Sequence, residues 1–348
     1  SEQFKVSKNK NTIVFLLDRM DKKYMDELLK RDPELCEKLS GFTYYKNFTG
    51  SYSRTFPSVA YLLSGVKYDY DIPSAEYMKK AMSESNFFGA LQAAGYESRL
   101  YTDTQYVTGS VESFNGTVKN AKSTEGKAKP MKILSAMLNL SAYRYSPEAM
   151  KPYFHIYTDN IAQKYIFGNK DGSIYTVDDA AFRKKGITTE DNAGSFVFYH
   201  LQGAHDPFTM NEKGEAVTLD YLNYEESMYK QIRGDFKMIL SYIKQLKAAG
   251  VYDNTTIIIT ADHGNADEMY EYDKKKGCVK TNPDGTPKAK TSHTLNPVPC
   301  IIYDNFYSDK YTVKPQAKFG LSNVAATTVN LLGYDAPEMW NESLIETK

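Results

Sequence analysis

The sequence predicts an α/β fold in which a mainly parallel central sheet is covered by helices on both faces. Short continuous apolar runs, typical of strands buried on both sides, alternate along the chain with longer segments of helical periodicity. The 348 residues are 41% hydrophobic and 25% charged, which is the composition of a folded globular protein and excludes a disordered chain. The length suits one large domain.

The elements follow in order. Strands are predicted at residues 13–17, 98–102, 196–199, 256–260 and 298–303, with the clearest apolar runs at 13–17 (IVFLL) and 256–260 (TIIIT). Helices are predicted at 24–39, 55–64, 87–94, 131–145, 224–249 and 321–332. Residues 119–132 read as a loop, rich in Lys, Gly, Ser and Pro.

Particular residues support these boundaries. Pro57 near the start of the second helix and Gly65 at its end follow the usual helix asymmetry. In residues 224–249 apolar side chains recur at steps of three and four, and Gly250 then ends the helix. The apolar segment 131–145 either packs on the core or rests on a membrane surface.

Charge and cysteine content exclude several classes of protein. Lys plus Arg and Asp plus Glu both number 43, so no global field favours nucleic acid, and we expect no nucleic-acid partner. Three scattered cysteines fit neither a disulfide framework nor a zinc knuckle. No apolar run approaches the roughly 18–20 residues of a membrane span, so we expect any membrane anchor to be absent from this chain.

Polar side chains follow several predicted strands. They are Asp18, His200 with His205, and Asp262 with His263, while Thr55 precedes a helix and His293 lies in a polar loop. Since strands of open α/β sheets place their carboxyl ends at the ligand crevice, these residues could meet there. Each alone has an ordinary explanation as a cap or a half-buried histidine. Together they favour a divalent-metal site.

The second half of the chain resembles a known superfamily. Residues 260–269 (TADHGNADEM) and 291–299 (TSHTLNPVP) are similar to the metal-binding half of cofactor-independent phosphoglycerate mutases. Residues 321–333 (LSNVAATTVNLLG) are similar to the last helix of that family and of sulfatases. The chain is therefore identified as a member of the alkaline phosphatase superfamily, and the resemblance implies an alkaline phosphatase-like (sulfatase-like) fold.

The first half resembles a different branch of that superfamily. Residues 50–58 (GSYSRTFPS) and 200–208 (HLQGAHDPF) are similar to the nucleophile and histidine segments of lipoteichoic acid synthases and phosphoethanolamine transferases. Phosphoglycerate mutases instead carry a large inserted domain. This chain has little room for such a domain, because only Asp103 to Gly194 separates the two halves of the core. We expect residues 1–348 to form a single catalytic domain with 103–194 as a substrate-specificity insertion.

The resemblance assigns roles residue by residue. It makes Thr55 the nucleophile and places Asp18, Asp262, His263 and Thr55 around a metal ion. His205 and His293 match positions that bind a second metal or the substrate phosphate, and either could protonate the leaving group, with His205 expected as the catalytic residue. Arg54 and His200 are expected to bind substrate.

One departure from the family pattern concerns the second metal. Two-metal members place an Asp four residues before the histidine matching His205, and here that position is Leu201. Asp206 or His200 could substitute, or one ion could suffice. The donor set suits Mn²⁺ or Zn²⁺ about equally, as one or two ions.

The nucleophile segment favours phosphate over sulfate esters. Sulfatases need a Cys or Ser within a Cys/Ser-x-Pro-x-Arg signature, whereas this chain has Thr55 and carries Val59 at the Arg position. A metal-activated threonine would form a covalent phosphothreonine, which water or an acceptor alcohol then attacks.

Three functions are compatible with these residues. The first is a phosphotransferase or phosphodiesterase acting on a cell-envelope alcohol phosphate, such as a lipid headgroup, at the extracellular or periplasmic face of a membrane. The second is a cytoplasmic phosphomutase or phosphatase of small metabolites, and the third is a non-catalytic module that kept the fold.

Overall fold

The structure is a computed structural model. It describes residues 2–102, 104–107, 111–121, 129–155, 186–217, 223–264, 272–273, 278–283, 285–286, 288, 296–305, 309–314 and 319–348. The chain divides into two compact units, one formed by Ser1–Asn120 with Ile174–Lys348 and the other by Ala121–Ser173. The predicted insertion 103–194 overlaps the second unit, and its role in specificity stays a prediction.

The strands belong to the first unit. In chain order they are β1 (Lys5–Ser7), β2 (Asn11–Leu17), β3 (Thr43–Tyr45), β4 (Phe48–Thr49), β5 (Tyr96–Tyr101), β6 (Thr188–Glu190), β7 (Gly194–Leu201), β8 (Thr255–Thr260), β9 (Tyr272–Asp273), β10 (Cys278–Val279), β11 (Cys300–Tyr303), β12 (Tyr311–Val313), β13 (Phe319–Gly320) and β14 (Ile345–Thr347).

The α-helices of the first unit flank these strands. They are α1 (Lys22–Arg31), α2 (Pro33–Lys38), α3 (Thr55–Ser64), α4 (Ser74–Ser85), α5 (Phe87–Ala93), α6 (Thr104–Val107), α9 (Tyr224–Ala248) and α10 (Val324–Leu331). The second unit contributes α7 (Pro130–Tyr145) and α8 (Lys151–Phe154).

A six-stranded sheet with the order β3-β11-β8-β2-β7-β5 forms the core of the first unit. Strands β8, β2, β7 and β5 run parallel, and in their register Val14 pairs with Phe198 on one side and Ile258 on the other. All seven residues of β2 are buried, as expected for a strand covered on both faces. Strands β11 and β3 complete one edge in antiparallel pairing. The predicted α/β, mainly parallel architecture is confirmed.

The helices match the sequence pattern with one break. The predicted helix 24–39 is two helices, α1 and α2, because Pro33 has no N–H to continue α1 and instead occupies the first turn of α2. Helix α3 begins at Thr55 and ends at Gly65, whose φ of 69° is the left-handed conformation that glycine adopts readily. Helix α9 buries its apolar stripe and also two polar residues, Gln231 and Asp235.

The second unit has its own helix pair. Helix α7 has Pro130 in its first turn and so begins inside the stretch 119–132, which the sequence predicts to be a loop. Among the described residues, we find no helix long and apolar enough to span a lipid bilayer.

Candidate metal centre and nucleophile

The site lies at the carboxyl edge of the four parallel strands. Asp18 directly follows β2, Thr102 follows β5, His200 is the penultimate residue of β7, and Asp262 comes two residues after β8. The register pairs Leu16 with both His200 and Thr260, so these strand ends arrive side by side. Parallel pairing thus gathers segments that are far apart in the chain at a single crevice.

Asp18, His200 and Asp262 form the centre of the site. One ligand atom from each of them lies within 4.8 Å of the others. The imidazole Nε2 of His200 lies 3.2 Å from Asp18 Oδ2, and its Nδ1 lies 2.8 Å from the hydroxyl of Thr102. The Thr102 hydroxyl can donate to Nδ1, which leaves the Nε2 proton for the Asp18 carboxylate.

Two carboxylate oxygens point into this centre without a hydrogen-bond partner in the described part of the chain. They are Asp18 Oδ1 and Asp262 Oδ2, and both are buried. The other oxygen of Asp262 accepts hydrogen bonds from the backbone N–H groups of Arg19 at 3.0 Å and His263 at 2.9 Å. A buried carboxylate oxygen without a partner is costly, and a bound cation would satisfy both oxygens.

His263 presents a lone pair to the same centre. Its Nδ1 lies 2.8 Å from the carbonyl oxygen of Gly264, which can only accept, so Nδ1 carries the proton. The unprotonated Nε2 lies 3.7 Å from Asp18 Oδ1 and 3.4 Å from Asp262 Oδ2. A backbone carbonyl that fixes the ring in this way is the usual support of a metal-binding histidine.

Thr55 reaches the centre from the start of helix α3. Its side chain is buried, and Oγ1 lies 3.3 Å from His263 Nε2, so the hydroxyl can donate to that nitrogen. The backbone of the next residue, Phe56, departs from helical geometry with φ −90° and ψ 129°. Thr55 therefore precedes the regular turns of α3. The structure thus places the predicted nucleophile beside the predicted metal ligands.

The electrostatics of the two aspartates differ. Burial raises the pKa of Asp262, and the charge of Asp18 adds to that effect. Burial also acts to raise the pKa of Asp18, but the hydrogen bond from His200 and the nearby imidazoles outweigh it, so this pKa is lowered. The site therefore gathers negative charge that a cation would compensate.

The residues present fit a divalent metal ion. Two buried carboxylate oxygens without partners among the described residues, an imidazole lone pair and a hydroxyl converge, which is a donor set for Mn²⁺ or Zn²⁺. His200, for which a substrate-binding role is predicted, lies beside these candidate ligands because β7 is next to β2 in the sheet.

A tight turn after β7 packs directly against the backbone of Asp18. Gly203 has a φ of 59°, and a Cβ built on it would lie 2.3 Å from the carbonyl oxygen of Asp18. That carbonyl accepts a hydrogen bond from Ala204 N at 2.8 Å. Only glycine allows this approach, so the turn and the metal-ligand candidate are positioned together.

Two buried polar residues of α9 hold the same loop. The Asp235 carboxylate accepts from Gly203 N at 2.8 Å, and Gln231 Nε2 donates to the carbonyl oxygens of Gly203 at 3.0 Å and His205 at 2.9 Å. Sequence reasoning missed both, together with Thr102. The available signal was two polar residues spaced four apart within the apolar stripe of a long helix.

The other predicted residues are placed less centrally. His205 is half-buried in the loop after β7, and its imidazole contributes to lowering the pKa of Asp18. Asp206, a candidate substitute for the missing second-metal ligand, instead pairs with Arg19 at 2.6 Å. Arg54 is exposed immediately before Thr55, and Leu201 is buried at the end of β7. His293 lies outside the described residues.

The carboxyl edge of a mainly parallel sheet thus gathers donors that could hold a metal ion. Residues 241–336 match the family model described as Metalloenzyme superfamily, and this segment belongs to that superfamily. The predicted α/β fold is confirmed, and the match of residues 241–336 agrees with the superfamily predicted from the sequence.

The chain is also similar to individual proteins and solved structures. Over 95 residues the chain is 47% identical to the "Probable 2,3-bisphosphoglycerate-independent phosphoglycerate mutase" of Leptospira interrogans, covering 27% of this chain and only 17% of that protein. Among solved structures, it is similar to yidJ of Bacteroides fragilis, assigned as a sulfatase, with a TM-score of 0.50 and 12% identity over 96% of this chain and 76% of that one. The soluble domain of lipooligosaccharide phosphoethanolamine transferase A from Neisseria meningitidis gives a TM-score of 0.49 at 12% identity, covering 96% and 91%.

Proposed function

We propose that this protein is a metal-dependent phosphoester transferase or hydrolase that uses Thr55 as its nucleophile. The observation that carries the proposal is the position of Thr55 Oγ1, 3.3 Å from His263 Nε2 in a buried centre with two carboxylate oxygens that lack partners among the described residues. A hydroxyl placed among metal-ligand candidates is in the right place to be activated.

Asp18, Asp262, His263 and Thr55 would hold the ion, and a bound Mn²⁺ or Zn²⁺ would lower the pKa of the Thr55 hydroxyl and withdraw charge from the phosphoryl group. His200 donates from Nε2 to Asp18 at 3.2 Å and would orient that carboxylate, and it would become a further ligand only on losing the Nε2 proton. One ion fits these residues. A second would be bound by His205 and His293 and would also need Asp206 or His200 to substitute for the aspartate missing at Leu201.

The side chains of the site have separate roles in the proposed reaction. The proton of the Thr55 hydroxyl leaves to solvent, and Oγ1 attacks phosphorus as the bond to the leaving alcohol breaks. The product is a phosphothreonine ester that keeps any other substituent of the phosphate. His205, in the loop after β7, donates a proton to the leaving alkoxide. Water or an acceptor alcohol then attacks this ester, gives its proton to His205 and releases Thr55 in its ionised form. Exposed Arg54 is suited to bind the charged phosphoryl oxygens.

The substrate proposed is a cell-envelope alcohol phosphate such as a lipid headgroup, reached from the extracellular or periplasmic face of a membrane. Support comes from the residues before and after Thr55, which resemble the transferases of that class. We propose residues 103–194 as the insertion that selects the substrate.

The decisive experiment combines activity with trapping of the intermediate. Purified protein supplied with Mn²⁺ or Zn²⁺ should hydrolyse bis(p-nitrophenyl) phosphate, and Thr55→Ala should abolish turnover. Mass spectrometry of acid-quenched protein should find a phosphoethanolamine group on Thr55 after incubation with phosphatidylethanolamine, or a glycerophosphate group after incubation with phosphatidylglycerol, since diacylglycerol is the leaving alcohol in both cases. The matched control is Ser58→Ala, which removes another buried hydroxyl of helix α3 and should retain activity.

Two outcomes would contradict the proposal. Full phosphodiesterase activity in Thr55→Ala would remove the covalent mechanism. Turnover of p-nitrophenyl sulfate with no action on phosphodiesters would assign the site to sulfate esters instead.

A second candidate is a phosphomutase or phosphatase of small metabolites. It is favoured by the 47% identity with a phosphoglycerate mutase over 95 residues, although the chain spans only 17% of that protein. Interconversion of 2- and 3-phosphoglycerate in an enolase-coupled assay would decide for it. Thr55→Ser should support this reaction as well as wild type, because mutases of that family use serine in this role.

A further inference from the structure

Helix α7 carries an exposed apolar stripe. Of its 16 residues only Ala136 is buried. Met131, Leu134, Met137 and Leu138 are exposed to 75%, 49%, 60% and 61%, and Tyr145 to 79%. At about 100° per residue, Met131, Leu134, Leu138 and Tyr145 fall within a sector of about 60°, and Met137 lies about 60° beyond its edge. These five residues are called the α7 stripe.

The stripe faces away from the buried side of α7. Ala136 lies about 170° around the helix from the centre of the 60° sector, at roughly 100° per residue, and within its own unit α7 contacts α8. Isolated exposed apolar residues are ordinary, but a continuous row of Leu and Met on one helix marks a surface that is covered in use.

The charges around the stripe identify the kind of surface that would cover it. Helix α7 contains Lys132 and Arg144 and no acidic residue, whereas the whole chain has 43 basic and 43 acidic residues. Lys129 precedes the helix. The acidic Glu148 after it is already paired with Lys151 at 2.8 Å. The segment from Lys129 to His155 is therefore clearly cationic.

The two helix cations are placed on opposite sides of the stripe. Arg144 lies about 110° from the centre of the sector in one direction, and Lys132 about 130° in the other. The guanidinium of Arg144 sits 5.8 Å from the ring centroid of Tyr145, at one end of the stripe. Both cations therefore lie on the half of the helix that carries Ala136, from which long side chains can reach around to lipid phosphates while the row enters the acyl boundary.

We propose that the α7 stripe docks on an anionic lipid surface, with α7 lying in the plane of the interface. The leucines and methionines would insert below the headgroups, and Lys132 and Arg144 would contact lipid phosphates. This inference does not depend on the chemistry at Thr55. It would, however, bring a Thr55-dependent enzyme to membrane substrates.

Vesicle sedimentation with the full chain tests the proposal. Wild-type protein should sediment with vesicles of mixed phosphatidylglycerol and phosphatidylcholine and much less with pure phosphatidylcholine. Leu134→Ser combined with Leu138→Ser should weaken binding by about tenfold or more, because two leucines that become buried in the lipid interface are lost. Lys132→Glu with Arg144→Glu should remove the preference for phosphatidylglycerol.

The matched control is Met339→Ser, which removes a methionine exposed to 78% outside the second unit and should leave binding unchanged. Circular dichroism and hydrolysis of bis(p-nitrophenyl) phosphate, a soluble ester, report whether each variant is folded and active. A failure of the catalytic proposal would appear in that hydrolysis and not in sedimentation.

Three results would overturn the inference. Wild-type protein could stay in the supernatant with phosphatidylglycerol vesicles, or the double Leu→Ser variant could bind them as well as wild type does. A wild-type dimer that dissociates in the double variant, with no vesicle binding, would show that a second copy of the chain covers the stripe.

Discussion

Gly203→Ala is the sharpest test of how the fold positions the site. The substitution places a Cβ 2.3 Å from the carbonyl oxygen of Asp18 and 2.6 Å from its nitrogen, both backbone atoms that cannot rotate away. It also forces alanine to a φ of 59°. Relief requires the β2 end or the loop after β7 to move, and either movement displaces Asp18.

The magnitude has two parts. An alanine in the left-handed region costs about 1–2 kcal/mol, and overpacking against neighbours costs a further ~1–3 kcal/mol. Gly250→Ala separates them, because Gly250 has a φ of 71° and no atom within 4 Å of its added Cβ. We expect Gly203→Ala to lose about 1–3 kcal/mol more unfolding free energy than Gly250→Ala.

Urea unfolding of the metal-free variants measures that difference, and isothermal titration with Mn²⁺ or Zn²⁺ supplies a second readout. Gly203→Ala should bind metal about tenfold or more weakly, since metal-site supports have effects of that order, while Gly250→Ala should bind as wild type does. Equal losses of stability in both variants, with equal metal affinity, would refute the argument that Gly203 positions Asp18.

Three further tests concern the buried charges and their partners. Asp262→Asn should raise the melting temperature of the protein in EDTA and lower its metal affinity about tenfold or more. Because the pKa of Asp262 is raised, the folded state holds its proton more tightly than the unfolded state does, and the ionised carboxylate destabilises the protein as pH rises. A lower melting temperature in EDTA would contradict this. Burial lowers the pKa of Lys10 to about 8, so above that pH the unfolded chain binds more protons than the folded chain does. The free energy of unfolding of the wild type should therefore rise between about pH 8 and 9.5, and Lys10→Met should lack this rise when denaturation is measured at both pH values. The same change in unfolding free energy in both proteins would exclude the effect. Thr102→Val removes the hydroxyl 2.8 Å from His200 Nδ1 and should shift the pH profile of phosphodiester hydrolysis, whereas Thr102→Ser should keep the wild-type profile. An unshifted profile in Thr102→Val would show that this hydrogen bond does not affect the role of His200 in hydrolysis.

The sequence was sufficient for the architecture because its signals are local. Five apolar residues before Asp18 and five β-rich residues before Ala261 predict strands buried on both faces, and both form. Gly65 and Gly250 predicted helix ends correctly, since a left-handed residue is required there whatever packs nearby. Pro33 carried an equally local signal, the break between α1 and α2, that the longer helical pattern concealed.

The site divides differently between sequence and tertiary structure. Motifs in the sequence nominated Asp18, Thr55, Asp262 and His263 by residue type and resemblance, but spacing along a chain does not fix distance in space. Strand order decided that β7 lies beside β2 and so brought His200 to Asp18, and the packing of α9 decided which loop atoms its buried polar side chains would hold. These contacts join residues far apart in the chain, and their geometry depends on register and packing, which no local pattern encodes.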